Sequence, residues 1–186
     1  MNGYLDAVNS RVVIFDGATG TTLQQANLTA DDFGGSDLEG CNELLSVTRP
    51  DVIEAFHDSF LAIGCDVVET NTFGGSSITL AEYGIADRAY ELSKVSAEIA
   101  VRVARDHATA DHPRWVAGSI GPGTKFASLG HIRYSELRDS YEEQARGLLD
   151  GGVDLFIVET QFDLLGLKAA VNGARAAMRA AGRTVA

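Results

Sequence analysis

The chain has 186 residues, an apolar fraction of 45% and a formal net charge of −11. This composition is ordinary for a globular protein and too apolar for a disordered one, and its acidity argues against nucleic-acid partners, which need clustered Lys and Arg. The N-terminus lacks the basic and apolar regions of a secretory signal, and no apolar run is long enough to span a membrane.

Short apolar runs alternate along the chain with segments in which apolar residues recur at three- and four-residue steps. The runs predict four strands that begin near residues 12, 67, 115 and 154. Between them the helical spacing predicts four helices, of which the first starts at Pro50, and Ser135 and Asp163 are the predicted N-caps of the third and fourth. A fifth strand is predicted to open at 183–186.

This alternation of strand and helix predicts an α/β fold with a parallel sheet. No strand is followed by a GxGxxG or Walker A loop, whereas polar residues follow every strand, which favours a TIM-type (β/α)₈ barrel. Such a barrel takes about 250 residues. Residues 1–186 are therefore predicted to be a single, incomplete domain, the N-terminal half of a barrel, whose open sheet edges favour self-association or marginal stability.

The strand ends carry the candidate chemistry. Glu69-Thr70-Asn71 and Glu159-Thr160-Gln161 nearly repeat each other, and each follows a short aliphatic run. Asp16 ends the first strand and Ser119 the third. Because parallel strands end at one edge of a sheet, we expect these residues to surround one site, with Glu69 as a buried partner that orients its mouth.

Several motifs in this order resemble the homocysteine S-methyltransferase family, and within it the homocysteine-binding module of cobalamin-dependent methionine synthases. The motifs are FDGATGT at 15–21, GCNELL at 40–45, TRPDVI at 48–53, GCDVVETNTFGG at 64–75, VAGSIGPGT at 116–124 and GGVDLFIVET at 151–160. The similarity runs from about Val12 to the end of the chain.

The resemblance implies methyl transfer from methylcobalamin to the thiol of homocysteine, which gives methionine. It also implies a Zn²⁺ ion, held by three cysteines, that binds the substrate sulfur and lowers its pKa. In the full-length enzyme it implies cobalamin as a cofactor and further folate-, cobalamin- and activation-type modules as partners.

The cysteines of this chain do not match the zinc ligands of the family. Cys41 follows the first strand, and Cys65 enters the second strand at the end opposite the site. None of the four histidines has HxH or HExxH spacing. We therefore predict that this chain alone binds neither zinc nor cobalamin and is inactive by itself, and that its two reduced cysteines indicate a cytoplasmic location.

The resemblance assigns two acids, Asp16 and Glu159, to the substrate ammonium group. We expect the successive backbone N–H groups after Asp16 to form a concavity that binds the substrate carboxylate. Asn71 and Ser119 are polar candidates that either contact the substrate or brace the loops. The full set of predicted substrate-binding residues is Asp16, Gly17, Ala18, Thr19, Gly20, Asn71, Ser119 and Glu159.

Two alternatives stay open from the sequence. The chain could belong to a homocysteine methyltransferase that uses betaine or S-methylmethionine as the methyl donor, in which case no corrinoid-binding module would follow it. It could also be a non-catalytic binding or assembly module, which would form a stable closed oligomer.

Overall fold

The computed structural model describes residues 3–17 and 19–186. In that part of the chain, helices alternate with the strands of a parallel sheet, as the sequence pattern predicts. The strands are β1 (Val67–Glu69), β2 (Trp115–Ile120) and β3 (Leu155–Val158). The helices are α1 (Gly3–Ser10), α2 (Thr19–Gln25), α3 (Ala30–Phe33), α4 (Leu45–Thr48), α5 (Pro50–Ala62), α6 (Ser77–Leu80), α7 (Ala89–His107), α8 (Tyr134–Gly151) and α9 (Leu164–Ala181). Short 3-10 turns cover Ser36–Leu38, Asn42–Leu44, Ala81–Tyr83, Ala86–Arg88 and Ala127–Leu129.

The three strands lie in sequence order, β1-β2-β3, and every pairing is parallel. Val67 is in register with Trp115, and Ala117 with Leu155. All three strands therefore end at the same edge of the sheet. Helices α5, α7 and α8 pack against these strands, which is the βαβ arrangement expected of a barrel.

The predicted first strand is reduced to a single bridge on the free edge of β1. Phe15 pairs with Val67, and the Asp16 N–H donates to the Val67 carbonyl at 3.0 Å. Val12 and Ile14 are 82% and 55% exposed, so the prediction of a regular strand here is wrong in length although right in position and direction. Of the described residues, only the Phe15–Val67 pair bridges this segment to β1, so the ladder ends after one pair.

Two further local predictions need correction. Residues 183–186 form no strand, although the Phe156 N–H donates to the Ala186 carbonyl at 2.9 Å and so places the segment beside β3. Ser135 lies inside α8, whose N-cap is Arg133. Asp163 is the N-cap of α9, as predicted, because its side chain accepts a hydrogen bond from the Leu165 N–H.

The main core lies between the sheet and the row of helices α7, α8 and α9. Leu148 and Tyr141 of α8 are fully buried there, next to Val116 and Ile120 of β2. A Cβ atom added at Gly147 would lie only 2.4 Å from the Tyr90 carbonyl oxygen, so glycine allows α8 to approach α7 closely. This packing holds the helix side of the sheet rigid and leaves the strand ends free to form a site.

Large apolar side chains are exposed at both edges of the sheet. Ile14 lies at the edge beside β1, and Phe162 and Leu164 follow β3 with exposures of 69% and 74%. The predicted self-association stays a prediction. Over residues 3–17 and 19–186, no helix combines the length and the apolar character that crossing a bilayer requires.

Candidate functional site

A cavity of about 370 Å³ opens at the ends of the strands. Its wall consists of the predicted strand-end residues together with Asn42 and Glu43, which follow α3 in the chain. Among the described residues, this wall contains no Lys, Arg or His. The lining residues are Gly17, Thr19, Gly20, Asn42, Glu43, Glu69, Thr70, Asn71, Thr72, Phe73, Ser119 and Glu159. The structure therefore brings together six of the eight predicted binding residues.

Asp16 lies directly behind the cavity wall rather than in it. Both oxygens of its carboxyl group accept the backbone N–H of Glu69 at 3.1 Å. This contact ties the end of the 14–16 segment to the end of β1. Glu69 itself lines the cavity, and burial together with the charge of Glu159 raises the pKa of its carboxyl group.

Ser119 positions Glu159 across the end of the sheet. The Ser119 hydroxyl donates to Glu159 Oε1 at 2.5 Å, and the Glu159 N–H donates to the Ile120 carbonyl at 3.1 Å. Thr160, the next residue, has a φ of 54°, which is an outlier for a β-branched side chain. Such strain is typical of functional sites, and here it turns the chain sharply after Glu159.

A chain of hydroxyl groups lies between the ends of β1 and β2. The Thr72 hydroxyl donates to the Ser119 carbonyl at 2.8 Å, so Thr70, whose oxygen lies 2.6 Å from that of Thr72, must donate to Thr72. Thr70 in turn accepts the Ser119 N–H at 3.0 Å, and the Gln144 amide of α8 donates to the Thr72 carbonyl at 2.7 Å. These buried bonds fix the floor of the cavity.

Asn71 braces a loop, which is one of its two predicted roles. Its amide nitrogen donates to the Asn42 carbonyl at 2.6 Å and to the Ser46 hydroxyl at 3.3 Å. Its backbone N–H donates to Ser96 of α7. Asn71 also lines the cavity, so a direct contact with a ligand stays a prediction.

Glu43 is a site residue that the sequence analysis missed. Its side chain is buried, Oε1 accepts the Gly74 N–H at 2.6 Å, and Oε2 lies 3.8 Å from the Cys41 sulfur. Burial raises the pKa of the Glu43 carboxyl. The available signal was an acid directly before the apolar pair Leu44 and Leu45, within the GCNELL motif.

The glycine-rich segment after Asp16 is present at the cavity wall through Gly17, Thr19 and Gly20. Ala18, the fourth predicted donor, lies outside the described residues. Thr19 begins α2, so the segment turns into a helix immediately after the wall. An anion-binding role for its backbone N–H groups stays a prediction.

The acids at this end of the sheet have strongly perturbed pKa values. Burial raises the pKa of Asp16 to about 7, the Glu69 N–H lowers it in part, and the charge of Glu159 raises it further. Burial also raises the pKa of Glu69 to about 8, with contributions from the charges of Glu159 and Asp16. An acidic cavity without a fixed cation is a binding environment for a positively charged group.

The two cysteines and the buried histidine His57 are not among the described residues that line the cavity. Within the part of the chain that the structure describes, no group of three or more His, Cys, Asp or Glu is arranged to hold a metal ion. Cys41 and Cys65 are buried free thiols, and burial raises the pKa of Cys41 to about 12. Burial lowers the pKa of His57 to about 4, so its buried imidazole is neutral.

Sequence comparisons identify relatives over nearly the whole chain. The family model described as homocysteine S-methyltransferase matches residues 13–184. The methionine synthases of Mycobacterium tuberculosis and Mycobacterium leprae are each 54% identical over 181 residues. Those residues are 97% of this chain but 15% of each relative, so the chain spans about a seventh of their length.

Solved structures confirm the fold. The homocysteine methyltransferase MmuM from Escherichia coli matches in its metallated form with a TM-score of 0.74 at 20% identity, covering 95% of this chain and 62% of that one. Its oxidized form matches with a TM-score of 0.78 at 19% identity, covering 99% and 64%. These neighbours are TIM-type barrels, and the chain covers about 60% of their length.

Proposed function

The chain belongs to the homocysteine S-methyltransferase family, and we propose that its strand ends hold the amino acid end of homocysteine while a methyl group is transferred to the thiol. The product of this reaction is methionine. Two methionine synthases are 54% identical to the chain, and this supports the methionine-forming reaction over other chemistry.

One observation carries the proposal: Glu69 and Glu159 line a cavity whose described wall contains no basic side chain, and Asp16 lies directly behind Glu69. An amino acid brings an ammonium group that such a site would pair with. Charge-assisted hydrogen bonds to carboxylates are roughly twice as strong as neutral ones. Asp16 and Glu159 are the proposed acceptors, and Ser119 holds Glu159 in place.

The carboxylate of the substrate needs donors on the opposite side of the same cavity. We assign this role to the backbone of Gly17 to Gly20, which follows Asp16 directly. Successive backbone N–H groups in a turn form a concavity that binds anions without a charged side chain. Asn71 and Ser119 complete the proposed polar surface.

The thiol of homocysteine needs activation, because a free thiol is largely protonated near neutral pH. The family implies zinc for this step, but the described residues do not fit a zinc site. Cys41 is engaged with Glu43, and the raised pKa values of Cys41 and Cys65 disfavour the thiolates that zinc requires. We propose that these residues hold the substrate and that any zinc ligands are supplied by other residues.

For the methyl donor we propose methylcobalamin, carried by another module, with folate- and activation-type modules as further partners. The support is the 54% identity to methionine synthases that extend far beyond the matched region. Betaine and S-methylmethionine are the alternative donors. Cytoplasmic location stays a proposal that the two free cysteines support.

The test is the paired substitution of the two proposed ammonium ligands in the native full-length protein. Asp16→Asn and Glu159→Gln each remove a charge-assisted hydrogen bond. Calorimetry should therefore show that L-methionine binds about 10- to 100-fold more weakly, or by about 1.5–3 kcal/mol, and the KM for homocysteine should rise by the same factor. Glu98→Gln is the matched control, because Glu98 is exposed on α7, pairs with Lys94 and does not line the cavity. Unchanged KM and kcat in both site variants would refute the proposal.

A further inference from the structure

Phe73 is the single large apolar residue in the described wall of the cavity. Every other described residue of that wall is a glycine or carries a hydroxyl, amide or carboxyl group. Phe73 is 47% exposed, although it directly follows three buried residues at 70–72. The binding of an ammonium group and a carboxylate gives no reason for an aromatic ring at this place.

The loop that carries Phe73 is held from both sides of the ring. The Phe73 carbonyl accepts the Gly121 N–H at 3.1 Å, and the next residue, Gly74, donates its N–H to the buried Glu43 carboxyl at 2.6 Å. The residue before Phe73 is bound through its carbonyl by the Gln144 amide of α8 at 2.7 Å. Three distant segments thus fix the backbone, so the exposed ring is held in place before any ligand arrives.

Two glycines allow this close packing of the loop. A Cβ atom added at Gly121 would lie 2.5 Å from the Phe73 carbonyl oxygen and 3.0 Å from the ring atoms Cδ2 and Cε2. A Cβ atom added at Gly74 would lie 2.9 Å from Glu43 Oε1. One edge of the ring therefore lies against the backbone of Gly121, and the exposed part of the ring is left for another contact.

The substrate has an apolar part that the polar wall does not match. Between its amino acid group and its sulfur, homocysteine has two methylene groups, which gain free energy when they leave water for an apolar surface. The nearby hydroxyl groups of Thr72 and Ser119 already donate to protein acceptors, at 2.8 and 2.5 Å. An aromatic ring also makes favourable contacts with a sulfur atom. Phe73 offers the matching surface for this part of the substrate.

We propose that Phe73 is a specificity-determining residue, whose ring packs against the methylene chain of the amino acid and so favours a long apolar side chain over a short one. The inference rests on the proposed function, because the acids and the backbone N–H groups described above hold the two ends of the amino acid group. No bond is made or broken in this step. The ring contributes by removing apolar surface of the ligand from water.

The experiment compares two amino acids that differ in the chain alone. L-methionine has the methylenes and a sulfur, whereas L-alanine has the same ammonium and carboxylate groups without them. Calorimetry of the native full-length protein at pH 7 measures methionine directly and alanine by displacement of methionine. Phe73→Ala should weaken methionine binding about 10-fold and leave alanine binding unchanged, so the preference for methionine falls about 10-fold.

Two further variants sharpen the result. Phe73→Leu keeps part of the apolar surface, so the preference for methionine should fall by about 3-fold only. Ile63→Ala is the matched control, because Ile63 is an apolar residue that is 80% exposed at the end of α5 and does not line the cavity. This control should bind both amino acids as the wild type does.

Each outcome decides the inference. If Phe73→Ala weakens methionine and alanine equally, or weakens neither, the ring does not contact the chain and the inference is overturned, while the proposed function stands. Absence of methionine binding to the wild type would refute the proposed function itself, and the inference with it. If Phe73→Ala does not fold, Phe73→Leu decides: a preference for methionine equal to that of the wild type would overturn the inference.

Discussion

The two ends of the same small sheet treat acidic residues in opposite ways. At the starting end of β1, Asp66 is buried and binds Arg11 through both oxygens at 2.8 Å. It also accepts the Ile14 N–H and lies 3.0 Å from the His112 ring. The Arg11 guanidinium holds the pKa of Asp66 well below its usual range.

At the finishing end of the sheet, the acids have each other as neighbours. Burial raises the pKa values of Asp16 and Glu69, and no Arg or Lys of the described cavity wall offsets it. We call the Asp66 end of the sheet the closed end, because its acid is paired with Arg11, and the end at Asp16 and Glu69 the open end, because the described cavity wall has no Arg or Lys. Pairing at the first end stabilises the fold, whereas unpaired acid at the second end is available to a ligand at a cost in stability.

The largest expected effect comes from breaking the closed end. Asp66→Ala leaves Arg11 without its partner and the Ile14 N–H without its acceptor, so the free energy of unfolding at pH 7 should fall by about 2–4 kcal/mol. Because the pKa of Asp66 is depressed in the folded state, its contribution is present above about pH 4 and is lost as pH falls below that value. Urea unfolding followed by circular dichroism measures both effects. Asp58→Ala, which removes an exposed acid paired with His107, is the control and should cost less than about 1 kcal/mol.

An intermediate effect of opposite sign is expected at the open end. The folded state keeps a proton on Asp16 up to about pH 7, whereas the unfolded chain loses it near pH 4, so this group lowers stability as pH rises between those values. Asp16→Asn should therefore stabilise the protein by about 1–2 kcal/mol at pH 8 and leave it unchanged at pH 4. Melting curves at both pH values check this, with the exposed Asp37→Asn as the control. If Asp16→Asn destabilises the protein equally at both pH values, the claim that ionised Asp16 lowers the stability of the folded state is contradicted.

The smallest effect concerns how firmly Glu159 is held. Ser119→Ala removes the hydroxyl that donates to Glu159 at 2.5 Å, so L-methionine should bind about 5-fold more weakly, or about 1 kcal/mol. Calorimetry at pH 7 measures the affinity. Ser59→Ala is matched, because the Ser59 hydroxyl bonds only the Phe56 carbonyl within α5. Unchanged affinity in Ser119→Ala would show that Glu159 needs no brace.

Strand ends were the most predictable part of the site. Aliphatic runs that stop at Glu69, Ser119 and Glu159 indicate parallel strands, and parallel strands end together, so the sequence predicts one shared site. The family motifs indicate Asp16 and the glycine segment, which also stand at the end of a predicted strand. Helix boundaries were predicted where a cap has a clear signal, as at Pro50, and missed at Ser135, where the observed cap lies two residues before the expected one.

Other parts of the site depend on contacts between distant segments. Glu43 reaches the cavity because Gly74, 31 residues later, binds its carboxylate. The role of Asn71 as a brace depends on the Asn42 carbonyl, and no local pattern distinguishes that role from ligand contact. The first strand was overestimated because its length depends on how many residues pair with β1, which local periodicity does not reveal.

The order of strands and helices, the family and the identity of the acids at the strand ends follow from the sequence alone, because periodicity and motif order are local properties of the chain. Which acid meets which partner follows from the packing of distant segments. Asp66 and Asp16 both neighbour β1 in space and share one side-chain chemistry, yet one meets Arg11 and the other meets Glu69. Their opposite pKa shifts follow from burial and neighbouring charge, which exist only once distant segments have packed together.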